Sequence, residues 1–117
     1  MSSDRMRRVD EAVRQVLGDA VTHQLKDPRV GFVTVTDVKT SPDLRHARVF
    51  VSILGSRTER LASLEGLRSA HGFLQRHVAG ELRLKHTPEL EFIPDDTTQR
   101  AFRIERLLRE AQTGEEG

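Results

Sequence analysis

Ser69-Ala70-His71-Gly72-Phe73 separates two helical patterns, Thr58 to Ser69 and Phe73 to Lys85, and its reading decides how the second half of the chain folds. Upstream, Leu61, Leu64 and Leu67 recur every three residues; downstream, Leu74, Val78 and Leu82 recur every four, so the apolar stripe changes phase near Gly72. The change predicts either a helix end or a kink. Gly72 suits a kink because it has no Cβ, tolerates φ > 0, and costs a straight helix about 1 kcal/mol relative to Ala. A simple C-cap fits the local sequence as well.

At about 100° per residue, Gly72, Arg76, Ala79, Gly80 and Arg83 share the helix face opposite Leu74, Val78 and Leu82. Small residues there let a bulky backbone come close, with Arg76 and Arg83 placed to grip its phosphates. From Arg68 to Lys85, Arg68, Arg76, Arg83 and Lys85 stand against Glu81 alone, a local net charge of +3. Two readings remain open: a nucleic-acid face, or a helix-packing face fringed by arginine.

Moving outward, Met6, Val9, Val13, Val16, Leu17 and Ala20 give Asp4 to Leu25 the spacing of an amphipathic helix, with Ser3 or Asp4 as N-cap. Its polar face offers Arg7 with Glu11 and Asp10 with Arg14 as i, i+4 pairs. Arg5 and Arg8 are less committed, and cations at a helix start oppose the macrodipole. Asp27-Pro28-Arg29-Val30-Gly31 ends the helix. Phe32 to Lys39 alternates as a strand, with Val33 and Val35 on one face and Thr34 and Thr36 on the other. After the turn Thr40-Ser41-Pro42-Asp43, Arg45 to Leu54 resumes with Ala47, Val49, Val51 and Ile53 inward, so the two strands form a hairpin.

On the other side, His86-Thr87-Pro88 stops the helix, and Leu90 and Phe92, alternating with Glu89 and Glu91, predict a third strand ended by Pro94. Asp95-Asp96-Thr97-Thr98 offers caps for a last helix carrying Ala101, Ile104, Leu107, Leu108 and Ala111. One domain over residues 1–111 is expected, with 112–117 as a flexible tail.

At 117 residues the chain is long enough to bury a core without disulfides or a structural metal. It has no Cys, which excludes disulfides, thiolate metal sites and Cys nucleophiles and fits a reducing, cytoplasmic setting. No secretory leader or membrane span is expected from the sequence. Net charge is only +1, so any nucleic-acid signal lies in the distribution of charge; 16 of the 19 basic residues are Arg, suited to phosphate and carboxylate alike. Five Phe and no Trp or Tyr argue against a base-stacking platform, since few rings remain once a core is built. His23, His46, His71, His77 and His86 form no i, i+4 pair, so no metal is expected. No Gly-x-Ser-x-Gly or Walker pattern occurs, and capping explains Asp95-Asp96, which leaves an enzyme reading without a site or cofactor.

The order helix, strand, strand, helix, joint, helix, strand resembles a type II KH-like domain, specifically the bacterial ribosome-binding factor A family. The resemblance runs from about Arg5 to Ala111. It is carried by Asp27-Pro28-Arg29, Val33-Thr34-Val35-Thr36-Asp37-Val38, Ser41-Pro42-Asp43-Leu44, Ala47-Arg48-Val49-Phe50-Val51-Ser52, and Pro88-Glu89-Leu90-Glu91-Phe92 with Asp95. Where ordinary KH domains have Gly-x-x-Gly between the helices, that family has Ala-x-Gly, here Ala70-His71-Gly72.

The resemblance implies an α+β, αββααβ fold with a three-stranded mixed sheet packed by helices on one side, plus a C-terminal helix. It implies a non-enzymatic, monomeric factor that binds the 30S subunit late in assembly. Such a factor contacts 16S rRNA near its 5′ end and decoding region, aids 5′-end maturation, supports growth in the cold and works alongside assembly GTPases. The family match carries Ala70 and Gly72 as site residues; Arg5, Arg8, Arg29, Arg68, Arg76, Arg83 and Lys85 are assigned to RNA from charge and helix geometry. A generic KH-type single-stranded RNA binder and a protein-interaction module, whose arginines pair with acidic partner surfaces, are the alternatives.

Overall fold

Periodic apolar stripes and alternating strands give the order α1 (Ser2–His23), β1 (Phe32–Thr40), β2 (His46–Leu54), α2 (Arg57–Ser69), α3 (His71–Glu81) and β3 (Glu89–Pro94) in a computed structural model. The structure describes residues 2–95 and 105–111, the latter also helical. Part of the expected last helix, with Ala101, Ile104 and the caps at Asp96, Thr97 and Thr98, lies outside the described residues, as does the tail.

Helix α1 buries Val13, Leu17, Ala20 and Val21 against the sheet. Ser3 and Asp4 stand inside α1 rather than capping it. The expected i, i+4 pairing is also replaced. Arg14 holds Glu11 through Nε at 2.9 Å and through Nη2, while Asp10 turns inward and accepts hydrogen bonds from the Thr40 amide at 2.9 Å and the Thr40 hydroxyl. A half-buried carboxylate beside a free strand amide gains more from that bond than from a solvated ion pair.

Strands β1 and β2 pair antiparallel from Phe32↔Leu54 to Thr40↔Ala47, with a bulge between Val35 and Asp37. The extra residue, Thr36, reverses the alternation, so Val33 and Val35 are followed inward by Val38 and Thr40. Its hydroxyl lies 3.1 Å from both the Phe50 carbonyl and an Asp95 carboxylate oxygen. The turn between the strands is fixed by Asp43, which accepts from the Ser41 hydroxyl at 2.6 Å and the Arg45 amide at 3.0 Å.

Strand β3 lies parallel to β2, with Leu90 beside Ala47 and Phe92 beside Val49, giving the order β1-β2-β3. A parallel neighbour requires a long crossover, and α2 with α3 supplies it. The inward faces of the strands meet Leu64, Leu67, Leu74 and Val78 of those helices and the α1 stripe. Thr34, Arg48 and Glu91 are exposed on the opposite, open face. The core takes in Phe92 but leaves Phe32 81% and Phe73 39% exposed. The premise that core packing would consume the rings therefore fails, because valine and leucine do most of the filling.

Candidate nucleic-acid interface

The helix pair is anchored at its start by a capping box. Gly55 turns the chain at φ +132°, the Ser56 hydroxyl accepts from the Glu59 amide at 3.2 Å, and the Glu59 carboxylate accepts from the Ser56 amide at 3.2 Å. Two residues then bind α2 to the loop after α1. Ser63, 2% exposed, accepts from the Gly31 amide at 3.0 Å and donates to the Arg29 carbonyl at 3.1 Å. Gly66 lies so close to that loop that a Cβ on it would sit 2.7 Å from Val30 Cγ2.

The same loop accounts for Arg29. Its guanidinium forks onto Asp27, with Nη2–Oδ2 at 2.7 Å and Nε–Oδ1 at 3.1 Å, and approaches Glu65 at 3.5 Å. Hydrogen bonds from the Arg29 side chain and amide hold the Asp27 carboxyl down to about 2. Unlike the other arginines assigned to RNA, Arg29 has its charge largely committed within the fold.

The break between α2 and α3 is one residue long, and that residue is Ala70. It has φ −86° and ψ 7° and serves both as C-cap of α2 and N-cap of α3. Its amide donates to the Gly66 and Leu67 carbonyls, both at 3.1 Å, and its own carbonyl accepts from Leu74 at 2.9 Å. Gly72 is not the hinge expected from its conformational freedom, for it sits inside α3 and is not among the positive-φ residues. A Cβ there would meet only Arg76 Nη1, at 3.3 Å. The joint is pinned to β3 by His71, whose Nε2 lies 3.1 Å from the Leu90 carbonyl.

Helix α3 stops at Glu81, short of the expected Lys85. Leu82 is extended, at φ −111° and ψ 120°, and packs half-buried against the core. Gln75 draws the following loop back to the sheet, donating to the Pro88 carbonyl at 2.7 Å and accepting from the Leu90 amide at 3.1 Å. Arg83 and Lys85 are therefore exposed loop residues and do not extend the helix face.

What remains of that face points outward: Gly72, Phe73, Arg76, Ala79 and Gly80 are exposed while Leu74 and Val78 are buried. Among the described residues it packs against no other element. No side chain caps α3 and no acidic residue stands in its first turn. The opening amides of a helix have no acceptor within it, so this end favours an anion. Phe73 stacks on His77 with centroids 6.0 Å apart and planes at 13°.

Arg68 precedes the joint, Arg76 stands on α3, and Arg83 and Lys85 lie in the loop after that helix; all four are exposed, with no hydrogen-bond or ion-pair partner among the described residues. The groove between the joint and β3 is lined by Arg68 and His71 on one wall and Glu89 and Glu91 on the other. Those carboxylates repel phosphate, whereas the outward face of α3 carries Arg76 and no carboxylate before Glu81. Arg5 and Arg8 are also exposed and unpaired among the described residues. They begin the helix whose Asp10 meets Thr40, in the row Thr40, Ala47, Leu90 that ends beside His71.

Sequence reasoning missed Ser63, Gln75 and the His71 contact. The signal available was a polar residue on, or next to, an otherwise apolar stripe. Among the described residues, no three His, Cys, Asp or Glu side chains are grouped to hold a metal, and no helix is long and apolar enough to cross a membrane.

This arrangement has close relatives. A ribosome-binding factor A of Anaeromyxobacter sp. (strain Fw109-5) is 52% identical over 109 residues, covering 92% of this chain and 89% of the relative. The crystal structure of ribosome-binding factor A from Thermus thermophilus superposes with TM-score 0.68 at 26% identity, over 76% of this chain and 94% of that one. A Thermus thermophilus ribosome-binding factor A homology model, fitted into a cryo-EM map of a complex with the 30S subunit, matches with TM-score 0.63 at 27% identity, over 74% and 90%. The sequence profile described as "Ribosome-binding factor A" matches residues 5–108. With the Ala-x-Gly joint, the mixed sheet and the profile in agreement over nearly the whole length, the chain belongs to the ribosome-binding factor A family.

Proposed function

We propose that this protein is a non-enzymatic assembly factor that binds the maturing 30S ribosomal subunit, laying the α3 side of its joint on the 16S rRNA backbone. The observation that carries the reading is the outward face of Gly72, Arg76, Ala79 and Gly80, with Arg68 before the helix and Arg83 and Lys85 in the loop after it, none of these cations paired among the described residues. Its chemistry suits phosphate: fixed amides at an uncapped helix start, guanidinium forks, and no Cβ at Gly72 and Gly80 to hold a backbone away. The relative fitted with a 30S subunit lends the partner. On this reading the protein acts as a monomer in the cytoplasm during late maturation. It aids 16S 5′-end processing, alongside assembly GTPases, and supports growth in the cold.

Phosphate contacts release counterions, so binding falls steeply with salt, with a log–log slope of about −0.7 to −0.9 per contact. Reversal of Arg76 and Arg83 to Glu abolishes cosedimentation with 30S subunits at moderate salt and flattens the slope. Unchanged binding by the folded variant refutes the face assignment. Equal affinity for short free RNA replaces the proposal with a generic RNA binder.

A further inference from the structure

A cleft of about 240 Å³ opens between the C-terminal part of α1 and the end of α3. Val16, half-buried against the core, supplies its apolar surface; every other lining side chain is polar. Asp19 and Glu81 bring carboxylates from the two helices, and Gln15 and Gln24 bring amides. The Gln15 nitrogen donates to Glu11 at 3.2 Å, which leaves its oxygen to accept. One Asp19 oxygen meets His23 Nδ1 at 3.0 Å, and the Gln24 and Glu81 side chains have no partner among the described residues. The lining is therefore rich in hydrogen-bond acceptors.

An aromatic surface leads into it. Phe73, His77 and Glu81 follow one another at i, i+4 along the flank of α3 that borders the cleft. The Phe73 and His77 rings lie at 13° with centroids 6.0 Å apart, and Phe73 is 39% exposed, so the pair offers a nearly parallel π surface to an incoming ring. Glu81 stands one turn, about 5.4 Å, beyond His77. At about 100° per residue, Phe73 is about 60° around α3 from Arg76, so a backbone gripped by Arg76 runs beside the rings.

We infer that this cleft takes one unstacked RNA base, which stacks on Phe73 and His77 and turns its amino edge to Asp19 and Glu81. The inference rests on the RNA-binding reading above and adds to it a contact with a base. Unstacked bases are recognised in this way: an aromatic side chain covers the ring face and polar groups meet the Watson–Crick edge. The acceptor-rich lining suits cytosine, adenine or guanine, whose amino groups donate, as cytosine N4 does to a carboxylate. Uracil has no amino group to offer. The two carboxylates also repel phosphate, so the base enters while the backbone stays at Arg76.

The test titrates the full chain with hexacytidylate and with hexauridylate, which carry equal charge, and follows it by NMR. Hexacytidylate is expected to shift the Gln15 and Gln24 side-chain amides and the His77 ring, and hexauridylate should bind several-fold more weakly. Equal titrations, or shifts confined to Gly72 and Arg76, overturn the inference. In cosedimentation with 30S subunits, Phe73→Leu keeps an apolar side chain and loses the π face. It should bind roughly 5- to 150-fold more weakly, the range for one base–aromatic stack, with the salt slope of wild type because no phosphate contact is lost. Wild-type affinity in Phe73→Leu, or a flattened slope, refutes the stacking. The two readings fail separately: a protein that does not cosediment with 30S yet distinguishes the oligonucleotides loses the assembly role and keeps the cleft, and 30S binding without that distinction does the reverse.

Discussion

Gly66 lies inside α2 and Gly80 in the last turn of α3, and the structure gives Ala substitution opposite effects at the two. In a helix Ala is favoured over Gly by about 1 kcal/mol. At Gly80 a Cβ meets nothing within 4 Å, so nothing opposes that gain in Gly80→Ala, for which the interior value is an upper bound in the last turn of the helix. With an unfolding entropy of about 2.1 cal/mol/K per residue over 117 residues, Tm should rise, by at most about 4 °C.

At Gly66 the new carbon would sit 2.7 Å from Val30 Cγ2 and 3.4 Å from Arg29 Cβ. A β-branched neighbour in a loop already tied to Ser63 has little room to yield, and overpacking costs about 1–3 kcal/mol. The steric cost exceeds the propensity gain, so Gly66→Ala should lower Tm by a few degrees. The assay is thermal unfolding by circular dichroism for both variants in one buffer, with urea midpoints as a second measure. A Gly66→Ala protein as stable as Gly80→Ala would refute the close approach of α2 to the 27–31 loop. A loss of stability in Gly80→Ala would refute the open α3 face.

Ser63→Ala removes the partner of the Gly31 amide and the Arg29 carbonyl; a loss of about 1–3 kcal/mol is expected, and a urea midpoint equal to wild type would count against it. Gln75→Ala frees the Leu90 amide, so its hydrogen exchange should accelerate while β1 amides keep their protection; unchanged exchange at Leu90 defeats the clamp. The Asp27 carboxyl is held down to about 2 by Arg29, a folded-state value below the unfolded one near 3.9. Its contribution is therefore present above about pH 4 and is lost as pH falls toward 2. Urea midpoints should show wild type losing more stability than Asp27→Asn across that window, and parallel pH curves would show that the fork onto Arg29 contributes nothing.

The elements could be read because each leaves a local period: the α1 stripe, the alternation through Ile53, and Leu90 with Phe92 in β3. Three features departed from the reading for physical reasons. Thr36 bulges, and a bulge adds a residue without changing composition, so strict alternation persists in the text while the faces exchange. Helix α3 ends at Glu81 because Gln75 and Leu82 tie the following chain to the core, an effect of residues distant in sequence that overrides good helix formers at Arg83 and Lys85. The bend falls on Ala70 rather than Gly72 because the end of α2 can hold a residue near ψ 0° through two carbonyls, without any left-handed conformation. Of the candidate site, the outward small-residue face was legible from helical geometry. The commitment of Arg29 to Asp27 and Glu65, and the placement of Arg83 in a loop, were not, since both depend on where the backbone turns.

The contact of His71 with the Leu90 carbonyl also sets an order of events during synthesis. β1 and β2 are near neighbours in sequence and can pair as soon as both have left the ribosome, with little loop entropy to overcome. The hydrogen bond that fastens the joint belongs to β3, Glu89–Pro94, so it waits until that strand has emerged, although α3 also packs against α1. A nascent chain can thus pair the hairpin and seat α3 on α1 before the joint is fastened to β3. The joint takes its final setting only when the parallel strand closes beside β2.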